Sequence, residues 1–506
     1  MSDLVRKVIA LSIVVIAAGL LWAGRRSNSD ADDAKNDMDT TIAAAREHAA
    51  SSDPRLKGAY SFERGGWVYV HLEGDPSAIG FQHGYVLAQE IGDAFPAVSG
   101  AMMHSTKRAW PFFRAVAREQ LWPKLDPEYQ QELQGIAEGL NARTGSQLDV
   151  YDIVALNSFE EVPDYYVPWL DKQSKRANAP NLKSPGNCSA FVATGSWTKD
   201  GGIVIAHNNW TSYMDGERWR IIFDIQPAHG YRILMDGFPG VIVSDDDFGI
   251  NSDGLMVAET TISQFEGWDP NGKPEFMRAR QALQYAGSID EYARIMLDGN
   301  NGGYANDWLL GDRKTGEIAQ FELGLKAYKL WKTKDGVFYG SNWARDPRVL
   351  KMDTPQFDSN NLASSPNARR VRWEQLLNEN KGKIDVSLAQ QLLSDHFDSY
   401  EKKTQANDRT LCGHVDTVDR GIAIWNWAPF YPGGAVQGKV TDSAMAKNME
   451  LVARIGHPCG EDFFAKPFLE KHPEYAWQEP YLRDMKAGPW TMFQSHALAG
   501  EGRSVD

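Results

Sequence analysis

The apolar pattern of this 506-residue chain changes at Gly186, and that change limits the folds open to it. Before this point, the stretches 76–90 and 127–141 repeat apolar residues at helical spacing. Helical periodicity returns at 274–297 and 386–397. Between these regions, alternating segments bounded by turn residues predict strands at 189–194, 203–207, 218–226, 231–235 and 254–262. The order predicts an α+β fold in which helices cover antiparallel sheets.

Four segments follow from the same pattern. Residues 1–26 contain an uncharged stretch, Val8–Gly24, flanked by basic pairs. This stretch favours a signal anchor over a cleaved signal peptide, and both alternatives predict an exported protein that is membrane-attached or secreted. Residues 27–52 are polar and acidic and predict a flexible linker. The pattern predicts a mostly helical segment at residues 53–187 and a domain of sheets and covering helices at residues 188–506.

The two helical stretches within residues 53–187 carry glycines at four-residue spacing. They are Gly80 and Gly84 in one stretch, and Gly135 and Gly139 in the other. Glycine allows two backbones to approach closely, so the pattern predicts that these two helices pack tightly.

Composition excludes several classes of function. The net charge is −14, and no basic run is long enough to form a patch, which argues against a nucleic-acid partner. The sequence contains no GxSxG elbow, HExxH helix, Walker A loop or GxGxxG fingerprint. Cys412 and His414 stand close together, but this pair alone lacks further ligands, and we interpret it as a packing feature. We therefore expect neither a metal nor a cofactor.

Cys188 lies where the helical part ends and the first predicted strand begins. A thiol here can attack the preceding Asn187 carbonyl, and hydrolysis of the thioester would leave Cys188 as a new amino terminus. The freed α-amine, with an ordinary pKa of about 7.7–8.0, can then act as base toward the thiol. From the residues alone, a buried, chemically inert cysteine remains the alternative.

The residues after this junction resemble a known family. The stretches 187–211, 238–262, 301–312 and 434–448 are similar, in order, to phospholipase B-like proteins. These belong to the amino-terminal nucleophile (Ntn) hydrolases, near the acyltransferases of penicillin biosynthesis. The resemblance covers about residues 60–460. It implies a four-layer αββα sandwich, processing before Cys188, and cleavage of an acyl ester or amide without a cofactor.

The resemblance also implies roles for five further residues. Asn306 matches the family asparagine that donates to the oxyanion, and Asn251 matches a second oxyanion position of the bile-salt hydrolase relatives. His207 and Asn209 occupy the stretch where those relatives carry an arginine and an aspartate. Arg369 resembles the arginine that points at the nucleophile, where a cation would lower the pKa of the amine and the thiol. The alternatives are a turn asparagine that satisfies local backbone for Asn306, a structural turn for Asn209 and a solvated side chain for Arg369.

The substrate is less constrained than the reaction. The first hypothesis is a lipid-like acyl substrate, since the 56 aromatic residues provide material for an apolar pocket and residues 8–24 for membrane attachment. The alternatives are an N-acyl amide hydrolase or acyltransferase acting on a small peptide-like molecule, and a processed but catalytically silent binding protein. We also expect the released amino-terminal segment to stay bound, and Cys412 and Cys459 to form a disulfide in an oxidising compartment. The sequence predicts no oligomeric state.

Overall fold

The computed structural model describes residues 53–174, 188–245 and 248–495. The predicted anchor, the acidic linker and Asn187 lie outside these residues. Among the described residues, no helix combines the length and the apolar character needed to cross a membrane.

Helices make up most of the region before Cys188 and much of the second half of the chain. In chain order they are α1 (Pro76–Val86), α2 (Ala88–Thr106), α3 (Trp110–Val116), α4 (Pro127–Thr144), α5 (Val150–Asn157), α6 (Val167–Ser174), α7 (Tyr213–Gly216), α8 (Glu275–Tyr285), α9 (Ile289–Leu297), α10 (Pro347–Met352), α11 (Ser365–Glu379), α12 (Val386–Leu393), α13 (Ser443–Lys447) and α14 (Ala465–Lys471). Short 3₁₀ or π turns occupy Pro54–Leu56, Ala117–Leu121, Trp122–Lys124, Val162–Tyr166, Gly195–Trp197, Val415–Thr417 and Pro473–Gln478.

The strands form two large sheets and one short pair. The strands are β1 (Tyr60–Arg64), β2 (Trp67–Gly74), β3 (Ser189–Thr194), β4 (Val204–Ser212), β5 (Ile221–Pro227), β6 (Ile233–Gly237), β7 (Gly249–Asn251), β8 (Leu255–Thr261), β9 (Asn306–Asp312), β10 (Glu317–Leu323), β11 (Tyr328–Thr333), β12 (Gly336–Gly340), β13 (Phe397–Asp398), β14 (Lys403–Thr404), β15 (Gly433–Asp442), β16 (Glu450–Ile455) and β17 (Thr491–Gln494). The larger sheet has the order β1-β2-β5-β6-β7-β8-β9-β10-β11, and the smaller has β12-β3-β4-β15-β16-β17.

Strand alternation divides the core. On β2, Trp67 and Tyr69 join a cluster that also contains Ala190 and Val192 of the smaller sheet, so the two sheets face each other. The residue between them, Val68, belongs to the cluster packed against α1 to α5, α8 and α9. On the smaller sheet, the intervening β3 residues pack against α11 and α12. The mixed α+β fold predicted from the sequence is confirmed.

The predicted close packing of two helices is also confirmed. α1 begins after Asp75, whose carboxylate accepts a hydrogen bond from the Ala78 amide at 2.9 Å and caps the helix. A Cβ atom at Gly80 would lie 1.9 Å from the carbonyl oxygen of Glu132 on α4. A Cβ at Gly139 on α4 would lie 2.1 Å from the Phe81 carbonyl oxygen, so the approach is close from both sides.

The segment 53–187 differs from the expectation in one respect. It is mostly helical where described, but it also supplies β1 and β2 to the larger sheet, and β2 pairs in parallel with β5. His71 on β2 and Asp224 on β5 form a buried ion pair at 2.7 Å. Burial lowers the pKa of His71, but the adjacent Asp224 carboxylate outweighs this effect and raises the pKa to about 9. The segment is therefore built into the same sheet as the residues after Cys188.

Candidate active site

Cys188 directly precedes β3, a strand held on both sides. β3 pairs antiparallel with β4 and with β12, so its backbone position is fixed by two hydrogen-bonded neighbours. The Cys188 side chain is 3% exposed. A buried cysteine is commonly inert, so its immediate neighbours decide whether this one can react.

Three polar side chains surround the thiol. The Cys188 Sγ lies 3.4 Å from Glu259 Oε1 and 3.9 Å from Asn209 Oδ1. Donor atoms of Cys188, His207 and Glu259 all lie within 4.8 Å of one another. His207 and Asn209 come from β4, next to β3, whereas Glu259 comes from β8 of the facing sheet. The two sheets thus meet at this thiol.

Glu259 was not predicted as a site residue. Its carboxylate is fully buried, and the hydrogen-bond network orients the Asn306 amide so that its nitrogen donates to Glu259 Oε2 at 2.9 Å. The Asn306 nitrogen also donates to the Ala305 carbonyl at 3.2 Å. Because both amide hydrogens are used in these contacts, the predicted role of Asn306 as an oxyanion donor is corrected to that of a partner of Glu259. One signal was present in the sequence, because Glu259 is the acidic residue of a strand that is buried at all seven positions. Buried carboxylates need a specific partner, and here the partners are the thiol and Asn306.

Asn209 offers an amide group beside the thiol. Its Nδ2 is buried and has no hydrogen-bond partner among the described residues. An unsatisfied buried donor costs free energy, on the order of 1–3 kcal/mol, and such groups are rare in folded proteins. Asn209 also lines the cleft described below. It is therefore a donor available to an incoming group.

Arg369, on α11, contacts the backbone of Cys188. Its Nη1 donates to the Cys188 carbonyl oxygen at 2.6 Å and to Ser189 Oγ at 2.9 Å, and its Nη2 donates to Asn342 Oδ1 at 2.8 Å. The guanidinium carbon lies 4.5 Å from the centre of the Trp210 ring. Burial lowers the pKa of Arg369 to about 9. The predicted approach to Cys188 is present, but it is made to the carbonyl oxygen.

Asn251 is the predicted residue that lies away from the thiol. Its amide nitrogen donates to the carbonyl oxygens of Leu283 and Ala286 at 3.0 and 2.9 Å, and its oxygen accepts from the Leu255 amide at 3.1 Å. Leu255 and Glu259 are four residues apart on one strand, which corresponds to about 13 Å. The expected oxyanion role is therefore corrected: both amide hydrogens brace the end of α8, and the side chain lies away from the thiol.

A cleft lies beside the site. It has a volume of about 460 Å³ and is lined by Tyr304 and by Asn209, whose Oδ1 lies 3.9 Å from the Cys188 thiol. Its walls include aromatic side chains from Trp210, Trp219, Trp425, Trp427, Tyr431 and Trp477. Residues of α2 and of the turn Val162–Tyr166 complete the wall, so the segment before Cys188 helps to form the cleft.

Three carboxyl groups also line this cleft. Burial raises the pKa of Glu160 to about 7, with a further contribution from the nearby Asp215 charge. Burial likewise raises the pKa of Asp215 to about 6 and that of Asp164 well above its ordinary range. The cleft is thus less negatively charged in mild acid than at neutral pH.

Within the described ranges, two groups of side chains have donor atoms spaced closely enough for a metal. One is Cys188, His207 and Glu259, and the other is His396 and His414 with Cys412 and Cys459. The second group corrects the interpretation of Cys412 and His414 as an isolated pair. It also corrects the expected disulfide, because all three cysteines are free thiols in the structure.

Comparison with known proteins confirms the predicted relationship to the phospholipase B-like proteins. The Phospholipase B family model matches residues 103–339. Phospholipase B-like protein F of Dictyostelium discoideum is 28% identical over 207 residues, covering 36% of each chain. Putative phospholipase B-like 2 of Bos taurus is 32% identical over 145 residues, covering 26% of this chain and 24% of its own. The chain spans about a third of the length of the first curated relatives it matches.

Two further matches carry less weight. An uncharacterized protein of Archaeoglobus fulgidus is 24% identical over 295 residues, covering 55% of this chain and 46% of its own. Among solved structures, a mutant conjugated bile acid hydrolase from Clostridium perfringens covers 53% of this chain and 88% of its own, at 12% identity and a TM-score of 0.31. At that score the likeness carries no argument about fold or function.

Proposed function

We propose that this protein is a cysteine Ntn hydrolase that cleaves an acyl ester or amide bond in a lipid-like substrate. The observation that carries the proposal is the position of the Cys188 thiol, 3.4 Å from the Glu259 carboxylate and 3.9 Å from the amide oxygen of Asn209, a residue that lines an aromatic cleft. The facing sheets and their outer helices are interpreted as the αββα sandwich of this class, supported by the alternation of core residues on β2 and β3.

Self-processing would come first and needs a base other than the α-amine. In the uncut chain the nitrogen of Cys188 is an amide, so Glu259, 3.4 Å from Sγ, is the acceptor for the thiol proton. The thiolate attacks the Asn187 carbonyl carbon, the C–N bond breaks, and the leaving nitrogen takes up a proton to become the α-amine. Water then hydrolyses the thioester and leaves the Asn187 carboxylate and a free thiol.

Turnover would use the same groups with the new amine as base. The α-amine accepts the thiol proton, the thiolate attacks the substrate acyl carbon, and the proton passes to the leaving alcohol or amine. Water hydrolyses the acyl thioester in the second half. The Asn209 amide faces the cleft with an unused donor and would stabilise the oxyanion, while Asn306 would hold Glu259 in place. Arg369 would fix the Cys188 carbonyl.

The segment before Cys188 would stay attached after cleavage. It supplies β1 and β2 to the larger sheet, the buried His71 partner of Asp224, and part of the cleft wall. Separation would expose the core side chains that β1 and β2 bury and would remove His71 from its ion pair with Asp224. Export, and membrane attachment through residues 8–24, remain part of the proposal on the sequence alone.

Matched ester and amide substrates that share one acyl chain test the reaction. Release of free acid by the wild type, and no release by Cys188→Ala, is the expected result. An N-acyl amide hydrolase would prefer the amide, and an acyltransferase would transfer the acyl group to an added amine. A properly processed wild type that binds acyl chains but turns over neither substrate would favour the silent binding protein.

A further inference from the structure

A second cysteine–histidine group lies outside the proposed active site. We call His396, Cys412, His414 and Cys459 the 396–459 cluster; their donor atoms all lie within 4.8 Å of one another. Cys412 and His414 are buried, and the other two are partly buried. The cluster falls beyond residues 103–339, where the family model matches.

The distances within the cluster suit a tetrahedral metal. The His414 Nε2 lies 3.6 Å from Cys412 Sγ and 3.5 Å from Cys459 Sγ. Zinc bonds of about 2.3 Å to sulfur and about 2.05 Å to nitrogen, at the tetrahedral angle, place sulfur and nitrogen about 3.6 Å apart. These two sulfur–nitrogen separations match those of a zinc coordination shell, and the remaining donor atoms lie within 4.8 Å of one another.

The surroundings of the cluster resemble those of a metal-bound histidine. His414 Nδ1, the ring nitrogen that faces away from the thiols, lies 3.7 Å from Glu461 Oε2. A carboxylate beside the second nitrogen of a ligating histidine fixes its tautomer and strengthens it as a ligand. The His457 ring stacks on His414 at 3.9 Å and holds its plane.

We infer that His396, Cys412, His414 and Cys459 bind one structural Zn²⁺. The two thiols lose their protons to solvent on binding, and the two thiolates balance the charge of the ion, with both imidazoles neutral. Four protein ligands close the coordination shell, so this zinc has no open position for a substrate or a reactive water.

The zinc joins three stretches of chain, and two of them, through Cys412 and Cys459, pack against residues of the cleft wall. His396 follows α12, Cys412 and His414 precede the turn Val415–Thr417, and Cys459 follows β16. Cys412 packs in the same cluster of apolar side chains as Trp210 and Trp425, two residues of the cleft wall. The metal therefore holds this wall, and its removal loosens the wall before it affects the sheets.

The first test is metal analysis of the full-length wild type, purified in the presence of reductant and without metal-affinity chromatography. The expected result is about one zinc per chain that survives dialysis. X-ray absorption at the zinc edge should give two sulfur and two nitrogen neighbours, and Co²⁺ replacement should give a tetrahedral spectrum with a thiolate charge-transfer band. Both measurements use the wild type and need no folded variant.

Variants then locate the ion. Cys412→Ser and Cys459→Ser should each lose most of the zinc, whereas Cys188→Ala should retain it. Loss of zinc in Cys188→Ala, with retention in both serine variants, would place the metal at the Cys188, His207 and Glu259 group and overturn the inference. A metal-free wild type after purification with added zinc, or a disulfide between Cys412 and Cys459 in its tryptic map, would overturn it as well.

Discussion

The Cys188 site and the 396–459 cluster place thiols in two different kinds of environment. Around Cys188 the neighbours are one carboxylate, one amide and one imidazole, and an aromatic cleft ends beside them. In the 396–459 cluster each thiol has another thiol and two imidazoles as neighbours, and all four donor atoms lie within 4.8 Å of one another. Burial is similar for Cys188 and Cys412, so burial does not separate a nucleophile from a ligand. The number of donors and the access of a substrate do.

The largest expected effect comes from removing a thiol from each site in turn. Cys188→Ala should lower acyl hydrolysis more than about 10³-fold, because no other side chain can form the acyl thioester. Cys412→Ser should remove zinc and leave the chemistry of the thiol intact, with the loss appearing as a lower melting temperature. Activity assays, zinc analysis and thermal unfolding on both variants check this. Equal loss of hydrolysis in the two variants would remove the distinction.

Within the active site, Asn209 and Asn306 separate oxyanion stabilisation from positioning. Asn209→Ala should lower kcat by about 10²-fold with little change in KM, since an oxyanion-hole donor acts in the transition state. Asn306→Ala should instead slow the self-cleavage that depends on Glu259. Steady-state kinetics on cleaved protein and the rate of cleavage after synthesis distinguish them. An unchanged kcat in Asn209→Ala would assign the oxyanion to another donor.

Asn251 provides the matched asparagine control. Asn251→Ala removes three hydrogen bonds to buried backbone groups and should lower the free energy of unfolding by about 2–4 kcal/mol. Its kcat should stay near that of the wild type, because the side chain lies about 13 Å along β8 from Glu259. Denaturant unfolding and kinetics on the folded fraction measure both. A hundredfold fall in kcat would restore its predicted catalytic role.

The last prediction concerns the dependence of stability on pH. Glu161, near the cleft and fully buried, has a pKa raised by burial to about 7. Between its ordinary value and 7, the native state binds the proton more tightly than the unfolded chain, so stability is greatest in acid and falls as pH rises to about 7. The fall amounts to about 3 kcal/mol.

Glu161→Gln should flatten this dependence, because an amide does not titrate. Unfolding measured from pH 5 to pH 8 in both proteins is the check, with Asp419→Asn as a surface control that should follow the wild type. A variant whose stability still falls with the wild-type slope would assign the pH dependence to other groups.

Sequence reasoning located what is local. Three features were predictable because periodicity and turn residues act over short distances. They are the start of β3 directly after Cys188, the close packing of helices at their glycines, and the α+β class. Cys188 itself was found through its place at a change of pattern and through a family resemblance. His207 and Asn209 were proposed from the same resemblance, and the structure places them on β4, next to β3.

What was missed depends on chain segments that meet only in the fold. Glu259 is 71 residues from Cys188 along the chain and reaches it because the two sheets face each other. Cys459 is 45 residues from His414, so the Cys412 and His414 pair looked incomplete. The parallel partner of β2 is β5, where Ile221 pairs with Val68, so this pairing joins distant parts of the chain. Among the described residues β1 pairs only with β2, and sequence reasoning missed both strands because they precede a stretch of helical periodicity. Asn251 had the right residue type at a matching position but faces a different element.

Intact mass measurement of the wild type beside Cys188→Ala, followed by amino-terminal sequencing, tests whether the chain cleaves itself before Cys188. We predict that the wild type consists of two fragments, one of them beginning at Cys188, which co-elute under native conditions, and that Cys188→Ala stays whole. A wild type that remains a single uncut chain at mildly acidic and neutral pH would contradict it, because Cys188 would then have no α-amine to serve as the base.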